Sequence, residues 1–129
     1  MNNVDISNQR AGGLLSWQWS QYTEAHQDRT NLALHALTAP VFMLGSALVV
    51  TAPFSSAPYV ALAAGTGAAL VALIAQGRGH RGESTTPAAF RSPLDFVLRF
   101  VAEQWVTFPR FVLSGGFARA WRSARRERV

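Results

Sequence analysis

Two long stretches of the chain contain no charged residue, and more polar segments flank them. The first runs from residue 32 to residue 54 and the second from residue 58 to residue 76. At about 1.5 Å per residue, a helix of roughly 20 residues crosses the ~30 Å hydrocarbon core of a bilayer. A buried hairpin in a soluble domain is the alternative, although such domains rarely carry two uncharged stretches side by side. The pattern therefore predicts an all-α integral membrane protein built on a transmembrane helical hairpin.

The link between the two stretches, residues 53–58, is short and uncharged. A short link makes the two helices antiparallel neighbours. Arginines lie outside the hairpin on both sides, at Arg29, Arg78, Arg81 and Arg91. Because cytoplasmic flanks carry the excess of positive charge, we expect an inner-membrane protein with both termini on the cytoplasmic side and the link on the outer side.

Shorter elements precede and follow the hairpin. Residues 1–13 are polar, which predicts disorder. Residues 14–27 contain Trp17, Trp19 and Tyr22, and such rings favour a membrane–water boundary, so we expect an interfacial helix there. The C-terminal segment 117–129 is predicted to be a basic tail.

A further helix is predicted over residues 93–108. Ser92 is a good N-cap, and Pro93 suits the first helical position. Asp95, Arg99 and Glu103 recur every four residues and form one charged stripe. The pattern is typical of an amphipathic helix that lies in the interface or packs on the hairpin, and Pro109 is expected to end it.

Composition excludes several kinds of chemistry. The chain has no cysteine, which rules out disulfides, zinc–thiolate sites and iron–sulfur clusters. All twelve basic residues are arginine, the net charge is +5, and half of these arginines lie between residues 110 and 129. We expect the basic tail to meet anionic lipid rather than nucleic acid, because no aromatic–basic platform accompanies it. The oligomeric state, including a homo-oligomer, stays open.

The placement of the three histidines is more informative than their number. His26 and His35 lie at the start of the first membrane helix, and His80 follows the second. A hairpin returns its ends to one side, so we expect all three at the cytoplasmic interface. His26 and His35 are nine residues apart and would face opposite ways on one helix. The N-cap residues from Asp28 to Asn31 predict a helix break that lets His26 fold back.

A metal site is one reading of these histidines, and interfacial histidines bonded to carbonyls are the other. Glu83 follows His80 by three residues and shares its face on a continued helix, which makes it a candidate fourth ligand. Ligands without sulfur favour iron, manganese or zinc, and histidines with a carboxylate suit Fe(II) that activates dioxygen. Two further hypotheses are a membrane scaffold protein and a haem-binding hairpin with His35 as axial ligand.

Three blocks of sequence resemble a known family. They are the Tyr-x3-His of residues 22–26, the Asn-x3-His of residues 31–35 with Pro40 beyond it, and the segment from Gly79 to Ala88. The chain is similar in these blocks to the small membrane dioxygenases typified by the fungal endoplasmic-reticulum enzyme of 2-hydroxy fatty acid α-oxidation. The end of the chain, residues 103–116, resembles shorter bacterial relatives of that enzyme.

The resemblance implies an Fe(II)-dependent dioxygenase that uses O₂ to shorten a 2-hydroxy fatty acid by one carbon. It implies that His26, His35 and His80 are the catalytic iron ligands, with Glu83 as a ligand or a group that orients one. Asn31 and Asp28 would support the ligands from behind. Arg78 or Arg81 is a weaker candidate partner for the substrate carboxylate, since both also fit membrane anchoring.

Overall fold

A computed structural model describes residue 10 and residues 12–126, with side chains up to residue 124. Every regular element in this part of the chain is helical, so the predicted all-α fold is confirmed. The helices are α1 (Gly13–Tyr22), α2 (Arg29–Thr51), α3 (Pro58–His80), α4 (Pro93–Ala102), α5 (Phe108–Leu113) and α6 (Gly116–Arg126). A 3-10 turn, Ala52–Phe54, extends α2, and a π-helical segment, Glu103–Thr107, joins α4 to α5. Most of the predicted disordered segment, residues 1–13, lies outside the described residues.

Helices α2 and α3 form the predicted hairpin, and small residues let their backbones touch. A Cβ atom placed on Gly65 would lie 2.5 Å from the carbonyl oxygen of Gly45, and one on Gly45 would lie 2.7 Å from that of Gly65. Neither glycine therefore leaves room for a side chain. This close approach holds the half of the hairpin nearer the link together through van der Waals contact.

Both helices of the hairpin are long and apolar enough to cross a membrane. The candidate spans are Arg29–Phe54 and Pro58–His80, each with a mean hydropathy of 1.8. Only 22% and 11% of the residues in their most apolar windows are buried inside the protein. Large apolar side chains point outward along both helices, among them Leu37, Leu44, Val50, Tyr59, Val60, Val71 and Ile74. The rest of the described chain leaves these faces uncovered.

The chain leaves the helical conformation between α1 and α2. Helix α1 ends at Tyr22, five residues before the end that the sequence predicted, and residues 26–28 have no regular secondary structure. Asp28 then caps α2, its Oδ1 accepting a hydrogen bond of 3.0 Å from the amide of Asn31. The cap satisfies one of the amides left free at the start of a helix. This non-helical passage turns residue 26 back toward the start of α2.

The segment after α3 returns over the same end of the hairpin. Ser92 caps α4 as expected, accepting a bond of 3.0 Å from the amide of Asp95. Pro109, however, does not end the helical path. It lies in the first turn of α5, directly after the π-helical segment. A proline is tolerated in the first turn of a helix, where its missing amide hydrogen is not needed. The helical path therefore continues to Leu113, with Phe108 and Phe111 buried against the hairpin.

Candidate metal centre

Three separate elements bring the three histidines together. His26 comes from the turn after α1, His35 from the second turn of α2 and His80 from the last residue of α3. Their ring centroids are 4.6 Å apart for His26 and His35, 4.9 Å for His26 and His80, and 5.0 Å for His35 and His80. His26 and His35 are almost completely buried, at 1% and 0% exposure. The cluster thus lies inside the protein at the end of the hairpin opposite the link.

Hydrogen bonds fix the orientation of the two buried rings. His26 Nδ1 lies 2.9 Å from the carbonyl oxygen of Tyr22, and His35 Nδ1 lies 3.0 Å from that of Asn31. A carbonyl oxygen can only accept, so we assign the proton to Nδ1 in both rings. Each Nε2 then faces the centre, where it can take up either a proton shared with Glu103 or a cation, and these two atoms are 3.3 Å apart. Second hydrogen bonds of this kind are the usual support of metal-binding histidines.

Glu103 provides the carboxylate of the cluster, a role that was not predicted from the sequence. Its Oε1 lies 3.1 Å from His35 Nε2 and 3.5 Å from His26 Nε2. The same oxygen accepts a hydrogen bond of 2.9 Å from the hydroxyl of Tyr22. The charged stripe of α4 therefore faces the protein interior, with Asp95 and Arg99 also buried. Its four-residue spacing was visible in the sequence, but the direction of the stripe was not.

Tyr22 also belongs to the cluster rather than to a membrane boundary. Its side chain is 3% exposed, and its ring stacks on His26 with a centroid separation of 3.9 Å. Burial, together with the charge of Glu103, raises the pKa of Tyr22 well above its ordinary value. The phenol consequently stays neutral and donates its proton to the carboxylate. The signal for this role was the Tyr-x3-His spacing, in which residue 22 is one turn before residue 26.

The ionisation of Glu103 is set by its neighbours. Burial would raise its pKa, but the hydrogen bonds and charges of His26 and His35 outweigh burial and hold the pKa well below the ordinary value. The group is therefore a carboxylate anion beside imidazoles.

The donor set fits a divalent metal ion. Among the described residues, His26, His35, His80 and Glu103 form a group whose candidate ligand atoms all lie within 4.8 Å of one another. Two imidazole lone pairs and a carboxylate oxygen that face each other repel unless a proton or a cation lies between them. A cation would relieve all of these repulsions at once. Three imidazoles and one carboxylate suit iron, manganese or zinc.

A haem ligand role for His35 is less compatible with this packing. The His35 ring is fully buried and has the other two imidazoles within 5.0 Å, with Phe108 at 5.9 Å. A porphyrin needs an open plane beside its axial ligand, and these rings occupy that space.

The structure corrects the expectation for Glu83. Its carboxylate lies outside the metal-binding group and accepts hydrogen bonds of 3.0 Å from the amides of Gln27 and Asp28. It also accepts a 2.7 Å bond from Asn31 Nδ2. These amides lie at the start of α2, where the helix dipole favours a negative charge. Glu83 therefore fastens the end of α3 to the start of α2.

Asn31 lies directly behind the histidines. It is completely buried; its Nδ2 donates to Glu83 and to the carbonyl oxygen of Ala25 at 3.3 Å, and lies 3.5 Å from His80 Nδ1. Asp28 contributes one step further out, as the cap of α2.

A reciprocal pair of glutamines holds the π-helical segment against the hairpin. Gln76 Nε2 donates to Gln104 Oε1 at 2.9 Å, and Gln104 Nε2 donates to Gln76 Oε1 at 2.7 Å. Both side chains are buried, and Gln76 also donates to Thr38 at 3.0 Å. Because Gln104 follows Glu103 directly, this pair fixes the position of the carboxylate relative to α3.

A cavity of about 260 Å³ opens beside the cluster. Its lining includes His26, His80 and Glu103 at the polar side, and Leu73, Phe96 and Phe100 at the apolar side. The arginine on its wall is Arg99. Arg78 and Arg81, which the sequence offered as partners for a substrate carboxylate, are exposed and do not line the cavity. The end of α3 turns both side chains outward, which corrects that expectation.

Fold and site together define a helical hairpin protein with a buried three-histidine, one-carboxylate group beside an apolar cavity. The chain belongs to the family described as 2-hydroxy-palmitic acid dioxygenase Mpo1-like, whose family model matches residues 14–112. The matched segment contains all four residues of the cluster, and the family resemblance predicted from the sequence is confirmed. Neither a curated protein nor a solved structure matches the chain.

Proposed function

We propose that this protein is an Fe(II)-dependent dioxygenase that shortens a 2-hydroxy fatty acid by one carbon at a membrane surface. The observation that carries the proposal is the buried group of His26, His35, His80 and Glu103 beside an apolar cavity. The family name supplies the reaction class, because it describes a 2-hydroxy-palmitic acid dioxygenase.

The four side chains would hold the metal, and the protein around them would set its environment. Bound iron would supply the activation of dioxygen and the polarisation of the substrate hydroxyl. Tyr22 and the two carbonyl oxygens behind His26 and His35 keep the ligands in one orientation before any substrate arrives. A site that oxidises its substrate needs such preorganisation, since misplaced metal ligands would allow activated oxygen to attack bonds other than the one to be cleaved.

The electron balance of the proposed reaction needs no further reductant. Conversion of the hydroxyl-bearing carbon into a carboxyl group removes three electrons, and release of the original carboxyl carbon as carbon dioxide removes one more. One molecule of O₂ accepts all four. A site with an O₂-binding metal and no second redox group is therefore sufficient.

The apolar hairpin supports a membrane location for this reaction. Its outward side chains would be covered by lipid, and the cavity lies at the end of the hairpin, where the head of a fatty acid meets water. The cavity is smaller than the ~300–1,000 Å³ of typical ligand pockets. It would hold the head and first carbons of the substrate, while the remaining chain lies along the hairpin. The arginines at this end favour a cytoplasmic orientation.

The proposal is tested with full-length protein in nanodiscs, loaded with Fe(II) and given 2-hydroxypalmitate under ¹⁸O₂. We expect the acid one carbon shorter, with ¹⁸O in its carboxyl group, and no product from His80→Ala. His80 is the least buried of the three histidines, so its loss perturbs folding least. A folded, iron-loaded protein that gives no product would refute the substrate assignment. Failure to retain any metal would favour a scaffold role instead.

A further inference from the structure

The cavity beside the metal centre carries one cation, and its surroundings are those of an anion site. Arg99 lines the cavity although its side chain is only 9% exposed. It lies one helical turn before Glu103 on the same face, which places the two Cα atoms ~6 Å apart along the helix. A buried guanidinium on a cavity wall needs a partner for its charge.

The acid next to Arg99 is already engaged by another arginine. Asp95 receives two hydrogen bonds from Arg10, of 2.5 Å to Oδ1 and 2.9 Å to Oδ2. Its nearest approach to Arg99 is longer, at 3.8 Å. Asp95 is thus shared between two arginines, while Glu103, the other acid near Arg99, faces His35 and His26. Burial and the nearby Arg10 lower the pKa of Arg99 despite the attraction of Asp95 and Glu103.

The guanidinium of Arg99 packs against two aromatic rings and makes few hydrogen bonds. It lies 4.2 Å from the ring centroid of Phe90 and 5.0 Å from that of Trp17. Its one hydrogen bond in the described part of the chain runs from Nη1 to the carbonyl oxygen of Ala89, at 3.1 Å. Nε and Nη2 have no acceptor there. Aromatic rings accept no conventional hydrogen bond, so these donors remain for a carboxylate, which guanidinium binds in bidentate fashion.

We propose that Arg99 binds the carboxylate of the fatty acid substrate and so places its 2-hydroxyl carbon at the metal centre. This inference rests on the proposed function for the identity of the substrate. The ~6 Å between the Cα atoms of Arg99 and Glu103 suits this substrate, because the carboxylate and the 2-hydroxyl of such an acid are on adjacent carbons. Asp95 acts as a positioning residue, since it pairs with Arg99, is itself held by Arg10 and does not line the cavity. The apolar chain then follows Phe96, Phe100 and Leu73.

The test measures recognition of the carboxylate without turnover. Full-length protein in nanodiscs is incubated with tritiated palmitate under nitrogen, and the label is displaced by unlabelled palmitate or by methyl palmitate. The experiment is run with Fe(II) and again after chelation, so that binding of the carboxylate by metal is separated from binding by arginine. A charged hydrogen-bonded pair contributes about 1.5–3 kcal/mol, so we expect the acid to bind about 10- to 100-fold better than the ester.

Arg99→Gln should lose this preference under both conditions, while the matched variant Arg81→Gln keeps it. Arg99→Lys keeps the charge without the planar fork and should retain part of the preference, which guards against a folding defect in the glutamine variant. Equal binding of acid and ester by the wild type, or an unchanged preference in a folded Arg99→Gln protein, would overturn the inference. Loss of preference in Arg99→Gln together with inactivity of the wild type would leave the carboxylate site standing and remove the oxygenase reaction alone.

Discussion

The two ends of the helical hairpin are held together by different forces. Near the link, α2 and α3 touch through backbone at Gly45 and Gly65. At the histidine end, polar side chains fill the same space. Gln76 and Gln104 are buried as a reciprocal pair, and Asn31 is buried with its Nδ2 bonded and its Oδ1 without a partner in the described chain. Close packing of small groups is an inexpensive way to join helices, whereas burial of polar groups is costly unless every group is paired. The comparison separates the part of the hairpin that supports the fold from the part built for chemistry.

The sharpest test of that separation compares the two glutamates near the histidines. Glu103→Gln removes the anionic ligand, and we expect at least a ~100-fold loss of activity together with loss of bound iron. Glu83→Gln keeps full iron occupancy but lowers thermal stability by about 1–2 kcal/mol, because the amides before α2 lose a charged acceptor. Iron content by mass spectrometry and unfolding by circular dichroism distinguish the two. Loss of iron from the Glu83 variant alone would reverse the assignment.

The opposite end of the hairpin should respond to added volume and not to chemistry. Gly65→Ala places a methyl group 2.5 Å from the carbonyl oxygen of Gly45, so the helices must separate. Overpacking of this kind costs about 1–3 kcal/mol. Gly67→Ala is the matched control on the same helix, because a Cβ atom there meets nothing within 4 Å. Thermal unfolding should show a large decrease for Gly65→Ala only, and equal effects of the two variants would contradict the close contact.

The same contrast explains what could be predicted from sequence. The hairpin follows from two uncharged stretches, which depend on composition alone. The convergence of His26, His35 and His80 follows from topology, since a hairpin returns its ends to one place. Both predictions use constraints that are visible within the chain.

Glu103 could not be assigned in that way. The stripe of Asp95, Arg99 and Glu103 marks one face of a helix, but a periodic pattern does not say whether the face meets water or protein. Local reasoning favoured Glu83, since it follows His80 by three residues. The outcome was decided by the amides of residues 27 and 28, which bind Glu83, and by the glutamine pair that holds the segment carrying Glu103 against the hairpin. These are long-range choices between partners that the sequence does not rank.

A smaller effect is expected where the fold supports the metal without touching it. Tyr22→Phe removes the hydroxyl that donates to Glu103 and leaves the stacked ring in place. Outer hydrogen bonds of this kind contribute about 10- to 100-fold in metal affinity, and we expect the lower value. Competition with a chromophoric chelator measures the change. Trp19→Phe is a suitable control, because Trp19 packs against the core of the same region without bonding to a ligand. An unchanged affinity in Tyr22→Phe would mean that Glu103 is held by the histidines alone.

The least pronounced effect concerns the ion pairs at the outer edge of the histidine end. The Arg10 guanidinium, with help from the amide of Arg91, holds the pKa of Asp95 well below its ordinary value despite burial. A carboxyl group whose pKa is depressed by folding stabilises the fold at every pH above its ordinary pKa. This contribution is lost as the pH falls through the pKa of the folded state. Asp95→Asn should therefore lower stability by about 1 kcal/mol near neutral pH.

The stability difference between wild type and Asp95→Asn should depend on pH. The difference in unfolding temperature between wild type and Asp95→Asn should be constant from neutral pH down to about pH 4, the ordinary carboxyl range, and should shrink in stronger acid. Gly65→Ala provides the reference, since a packing defect at the link end carries no titrating group and its stability loss should not follow the same curve. A difference that grows in acid would show that Asp95 destabilises the folded state. The cost of burying the Asp95 carboxylate would then outweigh the stabilisation from its bonds to Arg10.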